Sequence, residues 1–172
     1  MCYFPRKFLR VTIMNNLVLR RLRYALNLRE TSIAEIFKLA GSKVTVGHIT
    51  NLLKREKQQG FAECSALEIS QFLDGLIIKH RGRREDAPVV APKTAQINNN
   101  QILKKIRIAL ELREEDLLEI MQIADFKFSR AEMSAFFRKQ GSRQYKPCGD
   151  QMLRNFMIGL CEKYRPSEKE NK

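Results

Sequence analysis

The chain has 172 residues and carries 32 lysines and arginines against 19 acidic residues, a formal charge of +13. It holds no run of about 18 apolar residues that could cross a membrane, and Met1 to Met14 lacks the uninterrupted apolar core of an export signal. Cys2, Cys64, Cys148 and Cys161 fall in no CxxC or other metal-ligand spacing, and His48 and His80 are the two histidines that could join them. These features argue against a membrane protein and a zinc site, and lead to the expectation of a cytoplasmic protein with reduced thiols and neither metal nor cofactor.

The charge is spread along the chain: +3 over residues 1–14, +4 over 15–80, +2 over 81–98, +3 over 99–161 and +1 over 162–172. Excess lysine and arginine favours a polyanionic partner, because neutralising phosphates releases counterions, but diffuse charge is equally a route to solubility.

Residues 1–14 have no counterpart elsewhere in the chain and are read as an N-terminal extension. They form either a basic arm carrying Arg6, Lys7 and Arg10, or a segment upstream of a true start at Met14, which is the favoured reading. From Asn15 the chain repeats itself. Arg23, Ala25, Leu26, Leu28, Arg29 and Glu30 return as Arg107, Ala109, Leu110, Leu112, Arg113 and Glu114. Over roughly 62 aligned pairs at this constant offset about 17 are identical, against about four by chance, which marks an internal duplication. The expected organisation is therefore all-α: two tandem pseudo-equivalent four-helix repeats, at 15–80 and 99–164, with a linker at 81–98 and a charged tail at 165–172. Each repeat alone would bury only a thin core, so an apolar face between them is expected.

The first helix of each repeat, about Leu17 to Asn27 in the first, has an apolar stripe at Val18, Leu22, Ala25 and Leu26, matched by Ile102, Ile106, Ala109 and Leu110. On another face stand Arg20 and Arg23, matched by Lys104 and Arg107. Ser32 with Glu35, and Asp116 with Glu119, have the spacing of capping boxes for the second helix. Gly41 suits a left-handed stop, with Asp125 in its place in the copy. Thr45, and Ser129 with Glu132, open the third helix, whose inward residues Ile49, Leu52 and Leu53 match Met133, Phe136 and Phe137. The cations Lys54 and Arg55 match Arg138 and Lys139 at its C-terminal end, where they complement the helix dipole without any ligand. Ser65 with Glu68 opens the fourth helix. Gly75 and Gly159 occupy one repeat position inside it, where glycine permits close helix packing at the expense of about 1 kcal/mol in helix propensity.

After the fourth helix Arg81, Arg83 and Arg84 cluster ahead of Pro88 and Pro92, either a phosphate-binding run or solvated cations after a helix end. The second and third helices invite comparison with a helix-turn-helix, but the turn from Ala40 to Thr45 is long and Asn51, Lys54 and Arg55 are a sparse base-reading set. No constellation supplies catalytic residues. The nearest candidate is Cys148-Gly149-Asp150-Gln151 at a helix start, which lacks a neighbouring histidine as base and in which Asp150 reads more simply as an N-cap.

The stretches Leu19-Arg20-Arg21-Leu22-Arg23-Tyr24-Ala25-Leu26 and Leu103-Lys104-Lys105-Ile106-Arg107-Ile108-Ala109-Leu110 combine with Phe72-Leu73-Asp74-Gly75-Leu76-Ile77 and Cys148-Gly149-Asp150-Gln151. Together they resemble the bacterial YehS-like family, domain of unknown function 1456, over about Met14 to Arg165. The resemblance implies a small cytoplasmic bacterial protein with two helical repeats and carries over no activity or catalytic residue. The chain departs from the family in its upstream extension and in Gly47-His48, where an acidic residue is more usual. The leading expectation is a non-enzymatic nucleic-acid-binding or regulatory module using Arg20, Arg23, Lys54, Arg55, Arg81, Arg83, Arg84, Lys104, Arg107, Arg138 and Lys139. The alternative is a protein-interaction adaptor with an apolar groove between the repeats; an enzyme built on Cys148 and Asp150 comes third.

Overall fold

A computed structural model describes residues 6–83 and 96–166, with side chains from Met14 onward. Among these residues there are eight helices and no strand: α1 (Arg6–Ala25), α2 (Glu30–Leu39), α3 (Val46–Leu53) and α4 (Ala66–Arg81), then α5 (Asn99–Ala109), α6 (Glu114–Ile123), α7 (Arg130–Ala135) and α8 (Asp150–Tyr164). None of them is long and apolar enough to cross a membrane.

Local chemistry fixes the helix ends. Thr45 Oγ1 accepts from the His48 N–H at 3.2 Å, so the first copy forms its cap despite Gly47-His48. Ser65 with Glu68 and Ser129 with Glu132 form reciprocal capping boxes, each satisfying two orphan donors. Gly41 (φ 77°) and Asp125 (φ 60°) both take the left-handed conformation after their helices. Asn27 (φ 51°) and Glu111 (φ 54°), also equivalent, do the same and stop α1 and α5.

Four expectations are corrected. α1 starts at Arg6 rather than near Leu17, since no proline or glycine interrupts the chain from there to Ala25. α2 and α6 begin at Glu30 and Glu114, two residues before Ser32 and Asp116; in α6, Asp116 is an interior residue that accepts from the Arg113 N–H at 2.8 Å. The N-cap of α8 is Gly149, and Asp150 is its first helical residue. α7 ends at Ala135, so Phe136 to Lys139 lie beyond it. The basic linker and the tail fall mostly on residues outside those described, and Arg84 lies there too.

The helices pack reciprocally across the repeats. α1 lies against α8 and α4 against α5, while within each repeat α2 packs on α3 and α4, as α6 does on α7 and α8. The first helix of each copy is thus paired with the last helix of the other, the self-complementary arrangement of a two-fold dimer formed within one chain. Leu22 and Ile106, Ile36 and Ile120, Leu52 and Phe136, and Phe72 and Phe156 are all buried. They belong to one apolar cluster running through both repeats, which gives two thin cores a shared interior. Polar links seal the junction: Lys105 Nζ reaches Asp74 at 2.5 Å and Ser70 Oγ at 3.1 Å, and Arg81 pairs with Glu111.

At Gly75 an added Cβ would lie 1.9 Å from the Ile36 carbonyl oxygen, and at Gly159 1.9 Å from that of Ile120. Both glycines are therefore spaces into which the neighbouring helix backbone fits, which is why both copies keep them.

Candidate nucleic-acid interface

Two buried asparagines, one per repeat, build the floor of the basic region. Asn16 Nδ2 donates to the carbonyls of Leu52 (2.7 Å) and Ala62 (2.9 Å), and its Oδ1 accepts from the Cys64 N–H (2.9 Å). Asn100 repeats this with Phe136 (2.8 Å), Lys146 (2.9 Å) and the Cys148 N–H (2.8 Å), and also accepts from the Tyr145 hydroxyl at 3.0 Å. Each thereby ties its repeat's first helix to both ends of the loop that follows the third. The sequence carried a signal for them, an identical Asn-Asn pair opening each apolar helix face, but not their partners.

That clamp brings the first helix's cation to the two that follow the third helix. In the first repeat Arg20 is half-buried and donates through Nη1 to the Lys54 carbonyl at 3.0 Å. Burial lowers its pKa, with Arg55 and Arg21 adding repulsion that Glu56 partly offsets. Lys54 turns its ammonium onto Asn51 Oδ1 at 2.8 Å, while Arg55 is exposed. In the second repeat Lys104, Arg138 and Lys139 are all exposed and border an open cleft of about 390 Å³, with Phe137, Tyr145 and Gln140 also in its wall. No carboxylate lines this cleft.

The remaining candidates lie apart from these groups or serve other partners. Arg107 stacks over the Phe137 ring, 4.7 Å from its centre, and donates to the Leu112 carbonyl at 3.2 Å. Arg23 is exposed in the last turn of α1. Arg81 pairs with Glu111, and Arg83 donates to the Leu39 carbonyl at 3.2 Å, so these two are not part of either triad. A second cavity, of about 250 Å³, lies between the repeats and is lined by the equivalent pairs Leu26 with Leu110 and His80 with Tyr164, together with Ala109 and Glu111.

The thiol candidate has the wrong electrostatics for a nucleophile. Burial, reinforced by the Asp150 charge, pushes the Cys148 thiol up to about 12, and burial likewise raises Cys64. Both stay protonated at neutral pH, opposite to an activated cysteine. Their backbone N–H groups serve the asparagine clamps in both copies. Among the described residues no group of three or more His, Cys, Asp or Glu side chains is placed to hold a metal ion.

Comparison with known proteins agrees with the duplicated architecture. The family described as "Protein of unknown function (DUF1456)" matches twice, over residues 15–82 and 99–165. The chain is 37% identical over 148 residues to the uncharacterised protein YehS of Escherichia coli (strain K12), an alignment covering 86% of this chain and 94% of that protein. No solved structure matches. The chain belongs to the DUF1456 family, whose unit it carries as two tandem copies.

Proposed function

We propose that this protein is a cytoplasmic, non-enzymatic nucleic-acid-binding module whose contacts are to the phosphate backbone. The reading is carried by one observation: each repeat gathers a cation of its first helix with two cations after its third, Arg20 with Lys54 and Arg55, and Lys104 with Arg138 and Lys139. Cations carried by a rigid helix and a clamped loop hold a fixed spacing, which suits a polymer of regularly spaced phosphates. The formal charge of +13 supplies a long-range attraction that speeds encounter.

The test is fluorescence anisotropy of the full chain with labelled single-stranded DNA, duplex DNA and single-stranded RNA across a salt series. Binding through three or more phosphates should weaken with a log–log slope of about −2 or steeper on single strands, at about −0.7 per phosphate neutralised. Affinity no higher than that of an unrelated protein of the same pI would overturn the proposal and favour a protein partner.

A further inference from the structure

We infer that the cleft of the second repeat is a nucleotide-sized pocket that accepts one unit of single-stranded nucleic acid, its phosphate on Lys104, Arg138 and Lys139 and its base on the Tyr145 ring. This rests on the nucleic-acid reading above and narrows it to unpaired strands and to one of the two repeats.

The two copies of this region have diverged more than the rest of the chain. From Val44 to Glu63 no residue is identical to its counterpart in Phe128 to Pro147, yet both cations after the third helix are kept as cations. Three substitutions in the wall exchange an apolar side chain for a polar one. Met14 becomes Asn98 and Leu17 becomes Gln101, polar residues that border the wall while their side-chain oxygens cap α5 reciprocally at 2.9 and 3.0 Å, and Phe61 becomes Tyr145, which adds a hydroxyl. Glu56 becomes Gln140, which removes the carboxylate that would repel a phosphate. Asn51, the acceptor that holds Lys54 in the first repeat, becomes Ala135 and offers the equivalent Arg138 no such side chain. Gly60 allows the first loop to close on Lys54, whose Nζ would lie 2.7 Å from a Cβ there; Gln144 stands at that position in the copy. The result is a concavity of about 390 Å³ with three cations and no acid, a volume in the range of small-molecule sites.

An aromatic wall beside the cations separates a nucleotide from a bare anion. Tyr145 is half-buried and its ring is oriented by the hydroxyl's bond to Asn100, itself fixed by three backbone partners. A ring held in this way offers a stacking platform at little entropic cost, and stacking tolerates any base. A paired base inside a duplex presents no free face to it, which selects unpaired strands.

The experiment is a titration of the 15N-labelled full chain with adenosine 5′-monophosphate, inorganic phosphate and adenosine at low ionic strength, followed by amide chemical shifts. Adenosine monophosphate should bind about tenfold more tightly than phosphate, with shifts centred on Lys104, Phe137 to Lys139 and Tyr145 and not on Arg20, Lys54 and Arg55. Tyr145→Leu should abolish that preference, whereas Tyr145→Phe should keep most of it. Equal binding of the monophosphate and phosphate, or shifts centred on the first repeat, would overturn the pocket. The anisotropy series on the same preparation tells the two proposals apart: salt-dependent oligonucleotide binding without the monophosphate preference removes the pocket alone, and loss of both signals removes the parent reading as well.

Discussion

In the first repeat Arg20 spends a guanidinium bond on the Lys54 carbonyl and Lys54 folds onto Asn51, whereas in the second Lys104, Arg138 and Lys139 stand exposed around a cleft. Both arrangements sit on the same floor, an asparagine holding two carbonyls and one amide. The comparison separates two kinds of residue that duplication treats alike. Positions that meet backbone, such as Gly75 and Gly159 or Asn16 and Asn100, are identical because backbone geometry is the same in both copies. Some positions that meet solvent are identical too, as Glu35 and Glu119 or Lys43 and Lys127 are, but the cations that follow the third helix keep only their charge, and their surroundings drift.

The equivalence of the backbone positions can be broken first. Gly75→Ala and Gly159→Ala should each destabilise the protein by about 3 kcal/mol or more, because the new Cβ meets a carbonyl oxygen that cannot move without parting two helices. Chemical denaturation of each variant reads this; tolerance of one alanine and not the other would show that the helix pairs α2 with α4 and α6 with α8 are not packed alike. Next in size, Asn16→Ala and Asn100→Ala should each cost about 2 to 3 kcal/mol by leaving buried carbonyls and an amide without partners. Thermal melting is the readout, and a loss below about 0.5 kcal/mol would mean that water replaces the clamp at little cost.

A smaller effect should appear in the second repeat alone. Lys163 Nζ donates to Asp116 at 2.9 Å and Glu119 at 2.7 Å, while Ser32 occupies the position of Asp116 in the first copy. The Lys163 hydrogen bond, aided by the Arg113 N–H, lowers the Asp116 pKa. Burial opposes the charge of Lys163, but its bonds to Glu119 and Asp116 prevail and raise its pKa. A lowered carboxylate contributes stability above its unfolded pKa of about 3.9 that is lost as pH falls through the lower folded value. A raised lysine contributes below about 10.4 what is lost as pH climbs past its folded value. Lys163→Met should therefore lower stability by about 0.5 to 1 kcal/mol near neutral pH, since the pair is partly solvated, and the gap should close at acid pH. Denaturant titrations at several pH values check the sign.

Much of the fold was legible in the sequence because a constant offset compares one half with the other. Gly75 and Gly159 could be read as packing glycines from their shared position, and the Thr45, Ser65 and Ser129 caps from spacing alone. The early starts of α2 and α6 were not legible: Glu30 and Glu114 extend the helices backward, and the apparent caps Ser32 and Asp116 compete poorly with a continued backbone ladder. Of the site, the pairing of cations at 54 and 55 with 138 and 139 was readable, but their meeting with residues 20 and 104 depends on where Asn16 and Asn100 anchor the loops. Arg81 and Arg83, within three residues of Arg84, looked like a cluster and instead serve separate partners, Glu111 and the Leu39 carbonyl.

The most direct measurement compares Lys54→Ala/Arg55→Ala with Arg138→Ala/Lys139→Ala in salt-dependent binding to a labelled single-stranded oligonucleotide, with melting curves to establish that both variants fold. The second-repeat pair should flatten the log–log slope by about 1.4, the value for two phosphate contacts on a single strand, and the first-repeat pair by less than half as much. Equal changes from the two pairs would contradict the asymmetry between repeats, and unchanged binding in both would contradict the phosphate contacts themselves.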